Sequence, residues 1–118
     1  MDARSEENLV GVNPRLVAVL RETVSRYPDK VVVTEGLRSL ERQKYLLVSG
    51  KSRTINSKHI SGYAFDIALF IDGVLTWDFH AYERFAALFK SISAEMGIAV
   101  RWGGDWRGFV DACHFELA

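Results

Sequence analysis

Apolar residues recur at helical spacing in two parts of the chain. The first series begins after Asn13-Pro14, which has the form of an N-cap followed by proline at the first helical position. Its apolar members are Leu16, Val17, Leu20 and Val24. The second series covers residues 77–96 and ends before a glycine, and its apolar members are Phe79, Tyr82, Phe85, Ala86, Phe89, Ile92 and Met96. A further helix is expected at 40–48, where Ser39 can act as the N-cap.

Runs of β-branched or alternating apolar residues predict five strands. They are expected at 31–34, 64–71, 74–76, 98–102 and 113–117. Asp72-Gly73, between the second and third runs, has the form of a two-residue hairpin turn. Because helices mostly precede a run of strands and hairpins, the pattern predicts an α+β fold with helices packed on a mixed or antiparallel sheet.

The totals are those of an ordinary globular chain without net charge. Its 118 residues predict one domain over 1–118, in which about the first ten residues form a loosely held N-terminal tail. Fifteen basic and fifteen acidic residues balance each other, so the composition gives no support for a nucleic-acid partner.

Cysteine content and the N-terminus bear on the place of synthesis. Cys113 is the only cysteine, which excludes an intrachain disulfide and favours synthesis in the cytoplasm. The start, M-D-A-R-S-E-E-N, lacks the basic residues and apolar run of a signal peptide, and no apolar segment is long enough to cross a membrane. We therefore expect a protein made without a signal peptide and without membrane insertion.

Asp66 stands inside the apolar run at 64–71. Alternation along a strand puts it on one face with Ala64 and Ala68, whose small side chains leave room beside the carboxylate. An unpaired buried charge is costly, so Asp66 needs a partner. Arg38 is one candidate, and a shared metal ion is another.

Two histidines and a second acid could complete a zinc site with Asp66. His59 precedes Asp66 by seven residues in a polar loop, and His114 lies in the last strand. Two imidazoles and one carboxylate are typical of a hydrolytic zinc ion, with a fourth position open for a water whose pKa falls to roughly 7. Asp111, three residues before His114, is the candidate acid and base, whereas His80 is expected at the surface.

Three motifs carry a resemblance to a known family. Ser57 to Asp66 read S-x-H-x-x-G-x-A-x-D, and Trp102 to Glu116 read W-G-G-D-W-x-x-F-x-D-x-x-H-F-E. Residues 36–43 read G-L-R-S-L-E-R-Q. The chain, from about residue 14 to 117, resembles zinc peptidases of the D-Ala-D-Ala carboxypeptidase and L-alanyl-D-glutamate peptidase family, with its hedgehog/D,D-peptidase-like fold. Short members with W-G-G-D-W resemble phage endolysins.

The resemblance implies a cofactor, a substrate and roles for seven residues. It implies one zinc ion per chain, held by His59, Asp66 and His114. It implies Asp111 as the catalytic acid and base. The implied substrate contacts are Arg38, Gln43 and Ser57.

The implied activity is cleavage of the L-alanyl-D-glutamate bond in the peptide stem of bacterial peptidoglycan, for host lysis. Such an endolysin is made in the host cytoplasm, acts on the wall after release and is expected to be a monomer. Two alternatives stay open: a D-alanyl-D-alanine carboxypeptidase, and a non-catalytic zinc-containing module that binds the cell wall.

Four residues near the second motif have two interpretations each. Cys113 is expected to face the core, because neighbours in a strand point to opposite faces, although it is a possible ligand. Glu116 either orients a ligand or is a solvated strand residue. Trp102 and Trp106 either wall the substrate groove or fill the edge of the core beneath it; packing is favoured for Trp102 and the groove rim for Trp106.

Overall fold

The structure, a computed structural model, describes residues 1–51 and 57–118. Within these two ranges there are four α-helices, five strands and one turn of 3-10 helix. The helices are α1 (Ala3–Asn8), α2 (Pro14–Arg26), α3 (Leu40–Val48) and α4 (Phe79–Met96). The strands are β1 (Lys30–Glu35), β2 (Ala64–Ile71), β3 (Val74–Thr76), β4 (Val100–Trp102) and β5 (His114–Leu117). The 3-10 turn, Gly103–Asp105, lies between β4 and β5.

The five strands form one antiparallel sheet around β2. The order is β1-β2-β5-β4, and β3 pairs with β2 as the second half of a hairpin. One edge of β2 pairs with β1, and the other pairs first with β5 and then with β3. The strand that comes last in the chain, β5, is thus an interior strand with partners on both sides. The predicted α+β class is confirmed, and the sheet is antiparallel in every pair.

One face of the sheet carries the hydrophobic core. The inward side chains of β2, Phe65, Ile67 and Leu69, have no solvent exposure, and they pack against apolar residues of α2 and α4. The ring of Phe65 stacks on Phe115 of β5 with centroids 5.5 Å apart. Because side chains alternate along a strand, the same packing turns Asp66 to the opposite face. In the described residues, no helix combines the length and apolar character that crossing a bilayer demands.

Most element ends lie where the capping residues predict. The side chain of Asn13 accepts a hydrogen bond from the N–H of Arg15 at the start of α2, and Ser39 accepts one from Arg42 at the start of α3. Helix α4 begins at Phe79, two residues later than predicted, because Asp78 is still extended. Strands β4 and β5 also begin later than predicted, by two residues and by one.

The first ten residues are not the loose tail that their polar sequence suggests. Residues 3–8 form α1, and the Asp2 carboxylate caps this helix by accepting from the N–H of Ser5 at 2.9 Å. Ser5 is fully buried, and its hydroxyl accepts a hydrogen bond from the N–H of Val33 at 2.9 Å. The side-chain amide of Asn8 donates to the carbonyl of Val33 at 2.8 Å. Because β1 is an edge strand, these two polar side chains satisfy backbone groups that no neighbouring strand meets.

Replacing Ser5 tests how much this contact contributes to the fold. Ser5→Ala is expected to lower the free energy of unfolding by about 1–3 kcal/mol, because the buried N–H of Val33 loses its acceptor. The control is Ser25→Ala on the exposed face of α2, which should change stability by less than about 0.5 kcal/mol. Urea unfolding of both variants makes the comparison. Equal stabilities for the two would contradict a structural role for α1.

Candidate active site

The register of three neighbouring strands brings polar residues together on the face away from the core. Asp66 of β2 is paired across the sheet with His114 of β5 on one side and with Glu35 of β1 on the other. Paired residues in antiparallel strands have their Cα atoms about 4.5–5.5 Å apart, so their side chains are neighbours. The sheet therefore supplies two of the three predicted ligands and a further acid, and the loop before β2 supplies the third ligand, His59.

Three side-chain atoms form a nearly equilateral triangle. His59 Nε2, Asp66 Oδ1 and His114 Nδ1 lie 3.1 Å from one another in every pair. His59 and His114 are buried, with 1% and 5% of their surface exposed. Donor atoms at this spacing, two nitrogens and one oxygen, are a candidate metal-binding group.

The triangle fits a zinc ion. Ligands at about 2.0–2.1 Å from a tetrahedral zinc lie about 3.3–3.4 Å apart, so the observed separations need to change by only a few tenths of an ångström. Three protein ligands of the types nitrogen, nitrogen and oxygen are the catalytic rather than the structural kind of zinc set. The structure therefore brings together the three residues that the motifs single out, in a geometry that suits the ion.

Hydrogen bonds outside the triangle hold both imidazoles in the orientation that a metal needs. The Nδ1–H of His59 donates to the carbonyl of Gly36 at 2.8 Å, which leaves Nε2 as the ligand atom. The Nε2–H of His114 donates to Oε1 of Glu116 at 2.8 Å, which leaves Nδ1 as the ligand atom. Lys58 lies 3.1 Å from the other oxygen of Glu116. Of the two roles considered for Glu116, the hydrogen bond therefore supports the one in which it orients the ligand His114.

The charges of the site favour a cation inside the triangle. Burial raises the pKa of the Asp66 carboxyl, but hydrogen bonds from His114 and His59 outweigh it and hold that pKa well below its usual range. Burial lowers the pKa of His114, but hydrogen bonds to Asp66 and Glu116 outweigh it and raise the pKa to about 9. Without a metal ion, the carboxylates of Asp66 and Glu116 thus stabilise a proton on His114. A metal ion in the triangle would neutralise the same negative charges.

Asp111 lies next to the triangle, in the turn that leads into β5. Burial and the charge of Asp66 raise the pKa of its carboxyl above the ordinary value of an aspartate. Carboxylate oxygens of Asp66 and Asp111 and the sulfur of Cys113 lie within 4.8 Å of one another. Asp111 is therefore close to the ligands, and it accepts a proton more readily than an exposed aspartate does.

Cys113 does not follow the strand alternation expected of it. It precedes β5, which begins at His114, so it packs at the edge of the core while its thiol still reaches the site. The S–H donates to Oδ1 of Asp111 at 3.1 Å. Burial raises the pKa of this thiol far above its usual range, so without a metal ion Cys113 is protonated and donates this hydrogen bond.

Arg38 lies in the turn after β1, and three side chains surround its guanidinium. Its guanidinium donates to both oxygens of Glu35, at 2.9 and 2.8 Å, and to Oε1 of Gln43 at 2.6 Å. Its Nη2 lies 3.6 Å from Oδ2 of Asp66, the oxygen that is not part of the triangle. Gln43 is fully buried and is not among the residues that line the cleft, and its amide oxygen accepts the hydrogen bond from Arg38.

Glu35 is a site residue that the motifs do not reveal. It lies three residues before Arg38, outside the stretch at 36–43 that carries the resemblance. The signal that could have found it is an acid at the end of a buried apolar strand, which is the same feature that marks Asp66.

A cleft of about 670 Å³ opens above the triangle. Its walls are formed by Glu35, Arg38, Leu46, Lys51, Ser57, Lys58, His59, Asp66, Trp106, Arg107, Phe109, Asp111, Cys113, His114 and Glu116. Six of the seven predicted site residues line it, and Gln43 is the exception. The hydroxyl of Ser57 accepts a hydrogen bond from the N–H of His59 at 3.2 Å.

The two tryptophans of the second motif lie where they are expected. Trp106 is on the cleft wall, with its ring centroid 4.8 Å from that of His114. Trp102 is buried and donates its indole N–H to the carbonyl of Ala112 at 2.7 Å. His80, the remaining histidine, is exposed and contacts Glu83 at 3.2 Å, so it takes no part in the site.

Gly62 explains how the loop that carries His59 approaches the rest of the chain. Its φ of +76° is left-handed, and a Cβ at this position would lie 2.3 Å from the carbonyl oxygen of Gly11. The carbonyl of Gly62 in turn accepts a hydrogen bond from the N–H of Asn13 at 2.8 Å. The glycine of the first motif thus lets this loop lie against the connection between α1 and α2.

Comparison with solved structures gives a match over the whole chain. The crystal structure of the Serratia marcescens L-Ala D-Glu endopeptidase ChiX has a TM-score of 0.92 and 40% sequence identity, and the match covers 100% of this chain and 89% of that one. The antiparallel sheet and its helices are therefore the fold of that endopeptidase.

Comparison with characterised sequences points the same way. The L-alanyl-D-glutamate peptidase of Escherichia phage T5 is 31% identical over 96% of this chain and 93% of its own length. The L-alanyl-D-glutamate peptidase of Listeria phage A118 is 33% identical over 75% of this chain, and peptidoglycan L-alanyl-D-glutamate endopeptidase CwlK of Bacillus subtilis is 31% identical over 74%. The matches cover only 30% and 60% of those two longer proteins.

A family model agrees with these relatives over the full sequence. The model described as phage L-alanyl-D-glutamate peptidase matches residues 1–118, including the cleft and the ligand triangle at its floor. The chain therefore belongs to the phage L-alanyl-D-glutamate peptidase family.

Proposed function

We propose that this chain hydrolyses the L-alanyl-D-glutamate bond in the peptide stem of peptidoglycan, with one zinc ion held by His59, Asp66 and His114. The observation that carries the proposal is the triangle of donor atoms 3.1 Å apart at the floor of an open cleft, in a chain of this peptidase family. The fit of these donors to zinc supports the choice of metal.

The roles of the cleft residues follow from their surroundings. Zinc held by His59, Asp66 and His114 would act as a Lewis acid toward the scissile carbonyl and would lower the pKa of a water to about 7. Asp111 takes a proton from the attacking water and delivers it to the nitrogen of D-glutamate as the amide bond breaks. Its raised pKa supports this role, because the group must hold the proton between the two steps.

Arg38 and Ser57 are proposed to contact the substrate. The guanidinium of Arg38, fixed by Glu35 and Gln43, is suited to the negative charge that develops on the carbonyl oxygen. Gln43 acts through Arg38, since its amide oxygen accepts from that guanidinium. The hydroxyl of Ser57 is on the cleft wall, two residues from a ligand, where a peptide backbone would pass.

The biological setting is proposed from the relatives. Two of them are phage peptidases, and the match to the one from phage T5 covers 96% of this chain and 93% of that protein. We infer a single-domain, monomeric endolysin that is made in the host cytoplasm and acts on the wall after release. Because fifteen basic and fifteen acidic residues balance each other, the composition gives no support for a nucleic-acid partner.

Asp111→Asn tests the chemical step. The variant keeps the shape of the side chain but loses the base, so cleavage of purified peptidoglycan is expected to fall about 10²- to 10⁴-fold while the zinc content stays at one per chain. Mass spectrometry of the released muropeptides measures the bond and the rate together, and metal analysis measures zinc.

The matched control is Asp72→Asn in the exposed hairpin turn, which should cleave at the wild-type rate. An unchanged rate in Asp111→Asn would exclude this residue as the base. Release of terminal D-Ala alone by the wild type would instead identify a D,D-carboxypeptidase, and zinc binding without any cleavage would identify a non-catalytic module.

His59→Ala tests the metal site without relying on activity. The wild type is expected to bind one zinc ion and to gain thermal stability on zinc addition, by about 2.7 kcal/mol at 100 times the dissociation constant. His59→Ala should lose both effects, because one corner of the triangle is gone. His80→Ala, which removes an exposed histidine outside the site, should keep both. Equal zinc content in the two variants would mean that the triangle is not the metal site.

A further inference from the structure

Among the residues that the structure describes, four cations line the cleft, and two of them are paired with carboxylates. The guanidinium of Arg38 donates to both oxygens of Glu35, and Lys58 lies 3.1 Å from Glu116. The other two are Lys51 and Arg107. Neither has an ion pair with any residue in the ranges 1–51 and 57–118. A cleft cation without an internal partner is available to an anionic group of the ligand.

Arg107 is the one of these two that is held close to the chemical groups. It lies in the turn between Trp106, whose ring is 4.8 Å from that of His114, and Asp111. The turn is closed by hydrogen bonds from the N–H of Trp106 and of Asp111 to the carbonyl of Gly103, at 3.2 and 3.0 Å. The main chain beside Arg107 is thus fixed, while its side chain is exposed on the cleft wall.

The bond under attack has a carboxylate next to it. In an L-alanyl-D-glutamate linkage the scissile nitrogen belongs to glutamate, and the stem continues through the γ-carboxyl, so the α-carboxylate is free and one carbon away from that nitrogen. It must enter the cleft together with the bond. There it meets the carboxylates of Glu35, Asp66 and Asp111, whose charges repel it, so a free cation is needed to accept it.

We propose that Arg107 binds the α-carboxylate of D-glutamate and makes the enzyme prefer stems in which that carboxylate is free over stems in which it is amidated. The assignment rests on the proposed function. A guanidinium pairs with a carboxylate through two parallel hydrogen bonds. An amide in the same place removes the charge and replaces one acceptor oxygen with a donor, so it cannot make both bonds.

The test compares two synthetic muramoyl tetrapeptides that differ only at the second residue, D-glutamate or D-isoglutamine. The zinc-loaded wild type is expected to cleave the D-glutamate peptide with a kcat/KM about 10- to 100-fold higher. Arg107→Gln should lose this preference, through a higher KM for the D-glutamate peptide and little change in kcat, because the contact holds the substrate in the ground state as well. Arg107→Lys should keep part of the preference, because the charge remains.

Two controls separate this contact from a general effect of charge. Arg101→Gln removes an exposed arginine of β4 outside the cleft, and it should keep the full preference. Lys51→Gln removes the other unpaired cation of the wall. If Lys51→Gln abolishes the preference and Arg107→Gln does not, the assignment to Arg107 is wrong. Zinc content and thermal unfolding of each variant verify that it is folded and loaded.

The remaining outcomes separate this inference from the proposed function. Equal cleavage of both peptides by the wild type overturns the role of Arg107 and leaves the peptidase assignment intact. A preference that persists in Arg107→Gln also overturns it. Cleavage of neither peptide at the L-alanyl bond removes the proposed function, and the inference with it.

Discussion

A carboxylate in the middle of the central strand is the constraint on which the site depends. Asp66 is flanked in its own strand by fully buried apolar residues, and it is paired across the sheet on both edges. A charge in such a place must be neutralised, and the sheet register and the loop before β2 supply two imidazoles at 3.1 Å and a guanidinium at 3.6 Å. Because the negative charge of Asp66 has to be neutralised, this part of the sheet is suited to binding a cation.

The groups around the triangle are positioned by backbone contacts as well as by side chains. The carbonyl of Gly36 accepts from His59 Nδ1, and the N–H of Arg38 donates to the carbonyl of His59 at 2.8 Å. The turn after β1 and the loop before β2 therefore hold each other at two points. Lys58 ties the same loop to β5 through Glu116 and through the carbonyl of Leu117. A metal ion would bind to atoms that are already restrained, which limits the entropy lost on binding.

The sequence predicts the elements well where capping signals and periodicity agree, and less well where long-range contacts decide. Asn13-Pro14, Ser39 and the glycine after α4 fix helix ends through local hydrogen bonds and local φ, so they are visible in the chain itself. The polar stretch at 1–10 has no periodicity, and besides its local cap by Asp2 the helix there is held by contacts of Ser5 and Asn8 with a strand 25 or more residues away. Short-range rules carry no information about such a contact.

The site residues also divide into those that the sequence reveals and those that only the structure reveals. His59, Asp66, His114 and Asp111 are recognisable because their spacing repeats a motif, and the structure brings them to one cleft. Glu35 is outside the motifs, since only the pairing of β1 with β2 shows that it faces Asp66. The position of Gln43 behind Arg38 and the thiol of Cys113 beside Asp111 depend on how a turn and a strand start are built, which residue spacing does not specify.

The place of β5 within the sheet has a consequence for how the protein acquires activity during folding. Its two hydrogen-bonded neighbours are β2, about fifty residues earlier, and β4, whose only partner strand among the described residues is β5 itself. Early-folding segments such as α2 and the β2–β3 hairpin can form from local contacts, but the centre needs a closure between residues 55 positions apart. A polypeptide without its last strand would lack His114 and Glu116, so it could not assemble the complete ligand triangle.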